Sequence, residues 1–453
     1  MPQSPIAASG YADRFRCIGS ACEDTCCSAF TVPIDRTTFE KYRALAPSPL
    51  RALLDANILL TEDAGIQGIK PSPSVFAVIR MTPANQCPML SPDKLCRIQT
   101  EQGHEFLSHI CATYPRIVYN FDGMEEKALT LSCPEAARLV LLTPDLFNSF
   151  KPPSTREDSG PPIQGVQDGR NSLLSAWLRP IRHAVLSLVR NRTYPLWQRI
   201  FLLGVLCRRL DSIAQGEIAR GVPAFLADFE ATVAAGALLP AMATLPYDGP
   251  AQMDAVLRLA GMMLRRSNIT PRFVECIEAF KTGIGNGPGA TLESLTSNYA
   301  FAHDRFYAPF FDRHPYILEN LLINTILRCQ FPFGRPPAHM QADPADAEPP
   351  TTMTREFALL TAQFALVKGL LIGVAGCHRE GFSAAHVVHT VQAASKHFEH
   401  HPEFLKMAHA LLVECQLDGA RGLAVLLRNA AQHAPIPPFQ EKRVPVPQAG
   451  TPV

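Results

Sequence analysis

The chain has 453 residues, 47% hydrophobic and 18% charged, with 42 basic against 41 acidic side chains and a net charge of +1. This length has room for two or three domains, and the balance is that of a soluble globular protein. No basic field and no Lys/Arg run interleaved with aromatics is present, which argues against a nucleic-acid binder. The longest apolar run, 357–377, holds Gln363 and Lys368, so it reads as a buried core helix and not a membrane span.

Residues 1–10 show neither a basic n-region nor an apolar h-region, so no secretory signal is expected and a cytoplasmic location follows. Residues 1–14 read as a loose lead-in. The run 30–35 alternates and predicts a short strand, which Pro33 confines to an edge or an end. Asp35 is placed to cap a helix over 37–45, and a second helix is expected over 50–60. A strand over 75–80 delivers the chain to Cys87. Ser91-Pro92-Asp93 has turn chemistry, and a helix is expected over 100–111. The runs 117–121 and 127–131 flank Asp122-Gly123 and predict a hairpin that returns Cys133 toward Cys111. A helix over 134–142 and a Pro/Gly-rich stretch over 150–170 follow.

Beyond that stretch, apolar residues recur at three- and four-residue intervals, as in Leu174, Trp177, Leu178, Ile181, Val185 and Leu188. Helices are expected over 173–188 with a kink at Pro180, and over 196–210, 222–234, 253–264, 272–280, 317–329, 355–377, 404–415 and 420–431, with a further helix after a Ser383 cap. No alternating β-branched run lies between them, so no parallel sheet is expected. The glycine-rich run 283–289 follows a helix and contains a proline, so it reads as a helix end and loop, not as a nucleotide-binding loop. His397 and His401 sit four apart but read as helix C-terminal histidines rather than metal ligands. The expected fold class is α+β, predominantly α. Residues 11–145 form a small Cys-rich metal-binding domain, 146–170 a linker, 171–433 an all-helical domain with a disordered loop at 334–352, and 434–453 a disordered tail.

Eight of the 13 cysteines fall in the first third: Cys17, Cys22, Cys26, Cys27, Cys87, Cys96, Cys111 and Cys133. In a reducing compartment disulfides are rare, so this density points to thiolate ligation of a soft metal, zinc or an iron–sulfur cluster; inert buried thiols and a disulfide scaffold are the competing readings. Cys22 and Cys26 are four apart, so a helical turn would put both on one face, whereas the adjacent Cys26 and Cys27 diverge in an extended chain. The paired C-x2-C knuckles of a zinc ribbon are absent, as is a C-x3-C-x2-C triad. The neighbouring Arg14, Arg16, Arg97, Arg116 and Arg138 could offset thiolate charge. A site drawing on both the Cys17–Cys27 and the Cys87–Cys133 groups is expected, because the first group alone cannot easily converge four sulfurs.

Phe15-x-Cys17-Ile18-Gly19-x2-Cys22-Glu23-Asp24-Thr25-Cys26-Cys27, with Ile34-Asp35, resembles the opening of the flagellin lysine-N-methylase family. So do Leu95-Cys96-x-Ile98-Gln99 and Cys111-x2-Tyr114-Pro115-Arg116, and further on Pro315-Tyr316-Ile317-Leu318-Glu319-Asn320 and Lys396-His397-Phe398-Glu399-His400. Phe30 stands where that family leads one to expect tryptophan. The resemblance implies a cysteine domain that chelates zinc or iron, a protein-lysine N-methyltransferase activity on flagellin, and S-adenosylmethionine as methyl donor. A 4Fe–4S cluster is preferred over zinc. No nucleic-acid or membrane partner is expected. The alternatives are a non-enzymatic zinc- or iron-binding module and an iron–sulfur electron-transfer protein. Asp24, Tyr114, Tyr316 and Glu319 lie in the family-like stretches as uncommitted candidates for the base. Donor and lysine are expected to meet in a cleft between the cysteine segments and the helices of 299–320.

Overall fold

A computed structural model describes residues 9–429 apart from 66–70, 122–123, 148–176, 266–268, 335–350 and 402. The bulk of the expected linker, of the expected loop at 334–352 and of the expected tail falls outside these residues.

The N-terminal third opens on β1 (Val32–Ile34), α1 (Arg36–Arg43), α2 (Pro49–Asn57), β2 (Ile58–Leu60) and β3 (Ala77–Ile79). Asp35 caps α1 by accepting the Thr38 N–H at 2.9 Å, and Ser48 with Pro49 starts α2 in the same manner. The three strands form an antiparallel sheet ordered β1–β3–β2, so β1 is an edge strand, the position its proline requires. The helix expected over 50–60 stops at Asn57, because Ile58, Leu59 and Leu60 pair with β3 instead.

The helix expected over 100–111 is broken into α3 (Arg97–Gln102), a 3-10 turn and α4 (His109–Thr113). Gly103, at φ 98, takes a left-handed conformation that ends α3. The expected hairpin forms from β4 (Arg116–Phe121) and β5 (Met124–Leu129), with Arg116 opposite Leu129. Then α5 (Pro134–Leu142) begins directly after Cys133.

The remainder is helical: α6 (Leu178–Arg190), α7 (Leu196–Asp211), α8 (Ile218–Ala234), α9 (Leu239–Ala243), α10 (Gly249–Met263), α11 (Pro271–Gly283), α12 (Leu292–Ala302), α13 (Ala308–Arg313), α14 (Tyr316–Arg328), α15 (Met353–His378), α16 (Ala384–Phe398), α17 (Phe404–Glu414) and α18 (Ala420–Leu427). Among the described residues no strand follows β5, and the molecule is predominantly helical. Pro180 lies in the first turn of α6, where no intrahelical N–H bond is lost; the part of the expected helix before Trp177 lies outside the described residues. The glycine run closes α11, and Gly285 at φ 70 turns the chain away. Helix α15 is long and apolar enough to cross a membrane, yet its apolar window is entirely buried within the protein, as expected of a core helix.

Two apolar cores result. The smaller surrounds Val32, Ile34, Tyr42, Leu50, Leu54, Ile79 and Met89, and includes Cys87. The larger contains the helices and also Leu129, Leu131, Val140 and Leu141, so the hairpin and α5 pack onto the helical half. Residues 9–14 are not a loose lead-in. They form a 3-10 helix whose Tyr11 is buried and donates to Asn324 Oδ1 at 2.6 Å. On α14, Asn320 donates to the carbonyls of Val140 and Thr143 at 2.9 Å, and Asn324 to that of Leu129 at 2.9 Å. A buried backbone acceptor needs such a partner.

Candidate functional site at the junction of the cysteine segments and helix α16

The fold brings the two cysteine groups together. The Cys87 N–H donates to the Cys27 carbonyl at 2.7 Å, and Ser28 bridges to Gln86 in antiparallel fashion. Cys26 lies within electrostatic reach of Cys87, Cys96, Cys111 and Cys133, and Cys22 of Cys17 and Cys133. Cys96 and Cys133 occupy the N-cap positions of α3 and α5. Burial pushes the Cys87 and Cys133 thiols up to about 12, while the first-turn amides of Glu135 and Ala136 pull Cys133 the other way. Cys111 is exposed as a residue, yet enough protein surrounds its sulfur to push the thiol up to about 11. Cys26 is held well above the usual thiol range, first by the neighbouring Cys27 thiol and then by burial.

This donor set has the chemistry for a soft metal, and binding would have to displace the thiol protons. Its placement stops short of a closed site. Among the described residues no three His, Cys, Asp or Glu side chains are set so that they could hold a metal ion. Three of the five arginines expected to offset thiolate charge are engaged elsewhere. Arg97 pairs with Glu101, Arg138 with Glu23 and Glu135, and Arg116 lies over the Phe15 ring. The cation that favours a Cys26 thiolate is Lys396, from the other end of the chain.

Helix α16 supplies Lys396 and, one turn earlier, Gln392 on the same face. The Lys396 side chain is 1% exposed. Its ammonium donates to Asp24 Oδ2 at 2.9 Å, to the Thr25 carbonyl at 2.9 Å and to Ser28 Oγ at 3.1 Å, which uses all three of its protons. Gln392 donates to Asp24 Oδ2 at 2.8 Å and to the Ser132 carbonyl at 2.9 Å, while its oxygen accepts from Arg272 at 2.9 Å. The Glu-Asp-Thr segment between Cys22 and Cys26 is thus clamped by two neighbouring side chains of one helix. A buried charge is tolerable only with such full pairing.

Immediately beyond α16, a polar chain runs inward. The Tyr114 hydroxyl is 3.0 Å from Ser132 Oγ, and Ser132 Oγ is 2.9 Å from both His400 Nε2 and Thr130 Oγ1. Thr130 donates in turn to the Glu399 carboxylate, which pairs with buried Arg328 at 3.3 Å. Burial raises the Glu399 pKa even against that arginine, and it holds the Tyr114 phenol protonated. Phe30 packs on His400 with ring centroids 4.3 Å apart and on Tyr114 at 5.9 Å, with the Lys396 ammonium 5.3 Å over its face.

Of the candidate bases, Asp24 and Tyr114 lie in this junction. Glu319 is instead locked between Arg192 at 2.9 Å and Arg199 at 2.6 Å, and Tyr316 meets His314 at the start of α14. In the stretch 299–320 named for the expected cleft, Tyr299, Tyr307 and Phe311 are buried in the helical core, and α14 meets the N-terminal segments through Asn320. His397 lies in the last turn of α16, as expected. It is buried, stacks on Phe273 at 4.3 Å and bonds Thr270 Oγ1 at 3.0 Å. Ser132, Thr130 and Gln392 carry no sequence signal of their own. The one available sign was polar residues four apart on an otherwise buried helix.

A helical protein in which one helix near its C-terminal end clamps a cysteine loop is the class that this geometry defines. The family model for the FliB lysine N-methylase C-terminal domain matches residues 182–426, more than half of the chain. The chain belongs to the FliB lysine N-methylase family. It is 24% identical over 408 residues to the lysine-N-methylase of Salmonella typhimurium, covering 88% of this chain and 93% of that protein, and equally so to the lysine-N-methylase of Salmonella choleraesuis. The flagellar biosynthetic protein FliU of Salmonella muenchen is 32% identical over 146 residues, 32% of this chain and 82% of that protein. No solved structure matches.

Proposed function

We propose that this chain is a protein-lysine N-methyltransferase that takes methyl groups from S-adenosylmethionine and places them on lysines of flagellin in the cytoplasm. Membership of the lysine N-methylase family supports the reaction class, and the flagellar name of one relative supports the substrate. The observation that carries the location is the junction itself. Asp24 of the cysteine loop and Lys396 of α16, both in family-like motifs, meet at 2.9 Å beside the Tyr114–Ser132–His400 chain. Interfaces between packed units are where small-molecule sites preferentially form.

Cys17, Cys22, Cys26, Cys27, Cys87, Cys96, Cys111 and Cys133 are the residues that would hold a 4Fe–4S cluster or zinc. A soft metal on them would fix the loop that carries Asp24 against the segments of Cys87 to Cys133. The test is incubation of the anaerobically purified full chain with flagellin and methyl-labelled S-adenosylmethionine, with iron, zinc and sulfide measured on the same sample. Label on flagellin lysines is the expected result. Label nowhere on flagellin, with metal present, removes the methyltransferase reading in favour of a binding or electron-transfer module. For the metal, Cys22→Ser with Cys26→Ser should lower its content; unchanged content would exclude those ligands.

A further inference from the structure

We propose that the start of α16 is an acid-sensitive switch: a proton on His386, which caps the helix while lying face to face with His378, unlocks the turns that lead to Gln392. The switch concerns how one helix is held and does not rest on the methyltransferase reading above.

Ser383 opens α16, and His386 stands three residues later, where a capping box ordinarily has Glu or Gln. His386 Nδ1 accepts the Ser383 N–H at 3.1 Å, and the Ser383 hydroxyl lies at the same distance. An imidazole accepts through Nδ1 only while that nitrogen is bare, so the cap needs neutral His386 with its proton on Nε2. The same ring stacks on that of His378, the last residue of α15, with centroids 3.8 Å apart and planes at 20°. His378 is exposed and His386 half-buried, so protons reach both from solvent.

Protonation works against this arrangement. An Nδ1–H would point at the Ser383 N–H, donor against donor. The charge would sit in the first turn of a helix, at the positive end of its dipole. It would also lie against a second imidazole that titrates in the same pH range. Burial, His378 and His389 already draw His386 below the ordinary imidazole value. The other groups nearby do not reverse this. In the turn between the helices Arg379 adds a cation, and Glu380 is exposed, where solvent screens it. Cys377, beside His378, is a thiol that burial keeps protonated. His389, one turn on, donates to the Arg272 carbonyl of α11 at 3.0 Å, lies 3.6 Å from Glu275 and has Asp24 within electrostatic reach. Phe382 stacks on His386 at 6.1 Å, at the edge of cation–π reach, and rests on Phe310 of α13, which in turn meets His314.

Loosening travels along α16. Arg272 holds His389 through its carbonyl and Gln392 Oε1 through its Nε at 2.9 Å, so fraying of the first turns reaches Gln392 and its hold on Asp24. By linkage, unfolded His386 titrates near about 6.5 and the capped ring lower. Above that pH both states are neutral and nothing changes. Below it the frayed turn binds a proton that the capped turn refuses, so the cap weakens as pH falls.

The test is hydrogen exchange of the full chain, read by mass spectrometry on peptides from 384–392 and corrected for the intrinsic rate. In the wild type, protection of these turns should fall below about pH 6.5, approaching about tenfold per pH unit, while α7 keeps its protection. His386→Gln supplies an oxygen that accepts the Ser383 N–H and cannot titrate, so its protection should stay level. His378→Gln, at an exposed position, leaves the cap in place but removes the facing imidazole, so the fall should be smaller than in the wild type. Level protection in the wild type, a fall shared by α7, or a fall in His386→Gln as steep as in the wild type would overturn the switch. Should His386→Gln fail to fold, His378→Gln decides, and a fall as large as that of the wild type overturns it. None of these readouts is an activity, so their failure leaves the methyltransferase reading untouched.

Discussion

Lys368 ends inside the helical core, where its ammonium donates to the carbonyls of Leu426 at 3.1 Å and Leu427 at 2.8 Å and to Asn429 Oδ1 at 3.1 Å. It thereby caps the last carbonyls of α18, which have no intrahelical donor. Burial draws its pKa from the ordinary lysine value down to about 7. The sign of the consequence is fixed by linkage. At pH below about 7 folded and unfolded chains both hold the proton, and the full cost of burying the charge is present. Between about 7 and about 10.4 the unfolded chain holds a proton that the folded one lacks, so this residue's contribution to stability improves as pH rises. Comparison of urea unfolding of the wild type and Lys368→Met from about pH 6 to about pH 9 should show the difference moving in favour of the wild type. The slope should approach about 1.4 kcal/mol per pH unit above pH 7. A pH-independent difference would mean that Lys368 stays charged in the folded state. The sequence offered only a lysine in an apolar run; its partners are some sixty residues away, beyond any local pattern.

Among elements, α11 and α15 cross with their backbones in close approach. A Cβ built on Gly283 would lie 1.7 Å from the Gly373 carbonyl, and one on Gly376 would lie 2.6 Å from the Gly283 carbonyl. Backbone on both sides leaves nothing that can swing aside, so Gly283→Ala should destabilise by roughly 1–3 kcal/mol, the usual range for overpacking. Gly261, inside α10, has nothing within 4 Å of its Cβ position. Gly261→Ala should stabilise by about 0.5–1 kcal/mol through helix propensity. Opposite shifts of the thermal midpoint are the expected pair of results; two shifts of the same sign would contradict the close crossing. Helices of this kind were legible from three- and four-residue periodicity, and α5, α7, α14 and α15 begin and end within a few residues of their sequence expectation. The errors arose where tertiary pairing overrode local preference, as at Ile58–Leu60, or where one glycine conformation decided, as at Gly103.

For the whole molecule, the decisive feature is that the N-terminal third and the helices share buried polar contacts. Arg182 of α6 pairs with Glu126 of β5 at 3.2 Å, both buried. Tyr119 of β4 donates to the Arg328 carbonyl at 2.7 Å, and Tyr11, Asn320 and Asn324 bond across the same boundary. The sequence located the cysteines that converge there but not this seam, because its partners are separated by up to 313 residues and each is an ordinary Asn, Tyr or Arg. Separating the parts would take Glu126 from buried Arg182 and remove the acceptors of Asn320 and Asn324, and breaking a buried ion pair costs several kcal/mol. The two parts should therefore unfold together. Calorimetry of the full chain should give one transition whose van't Hoff and calorimetric enthalpies agree. A fragment covering residues 177–429 should bind a hydrophobic dye and lack near-ultraviolet circular dichroism. Two resolved transitions, or a fragment with native near-ultraviolet signal, would show that the helices need none of these contacts, and the clamp on Asp24 would then be a docking contact between independent domains.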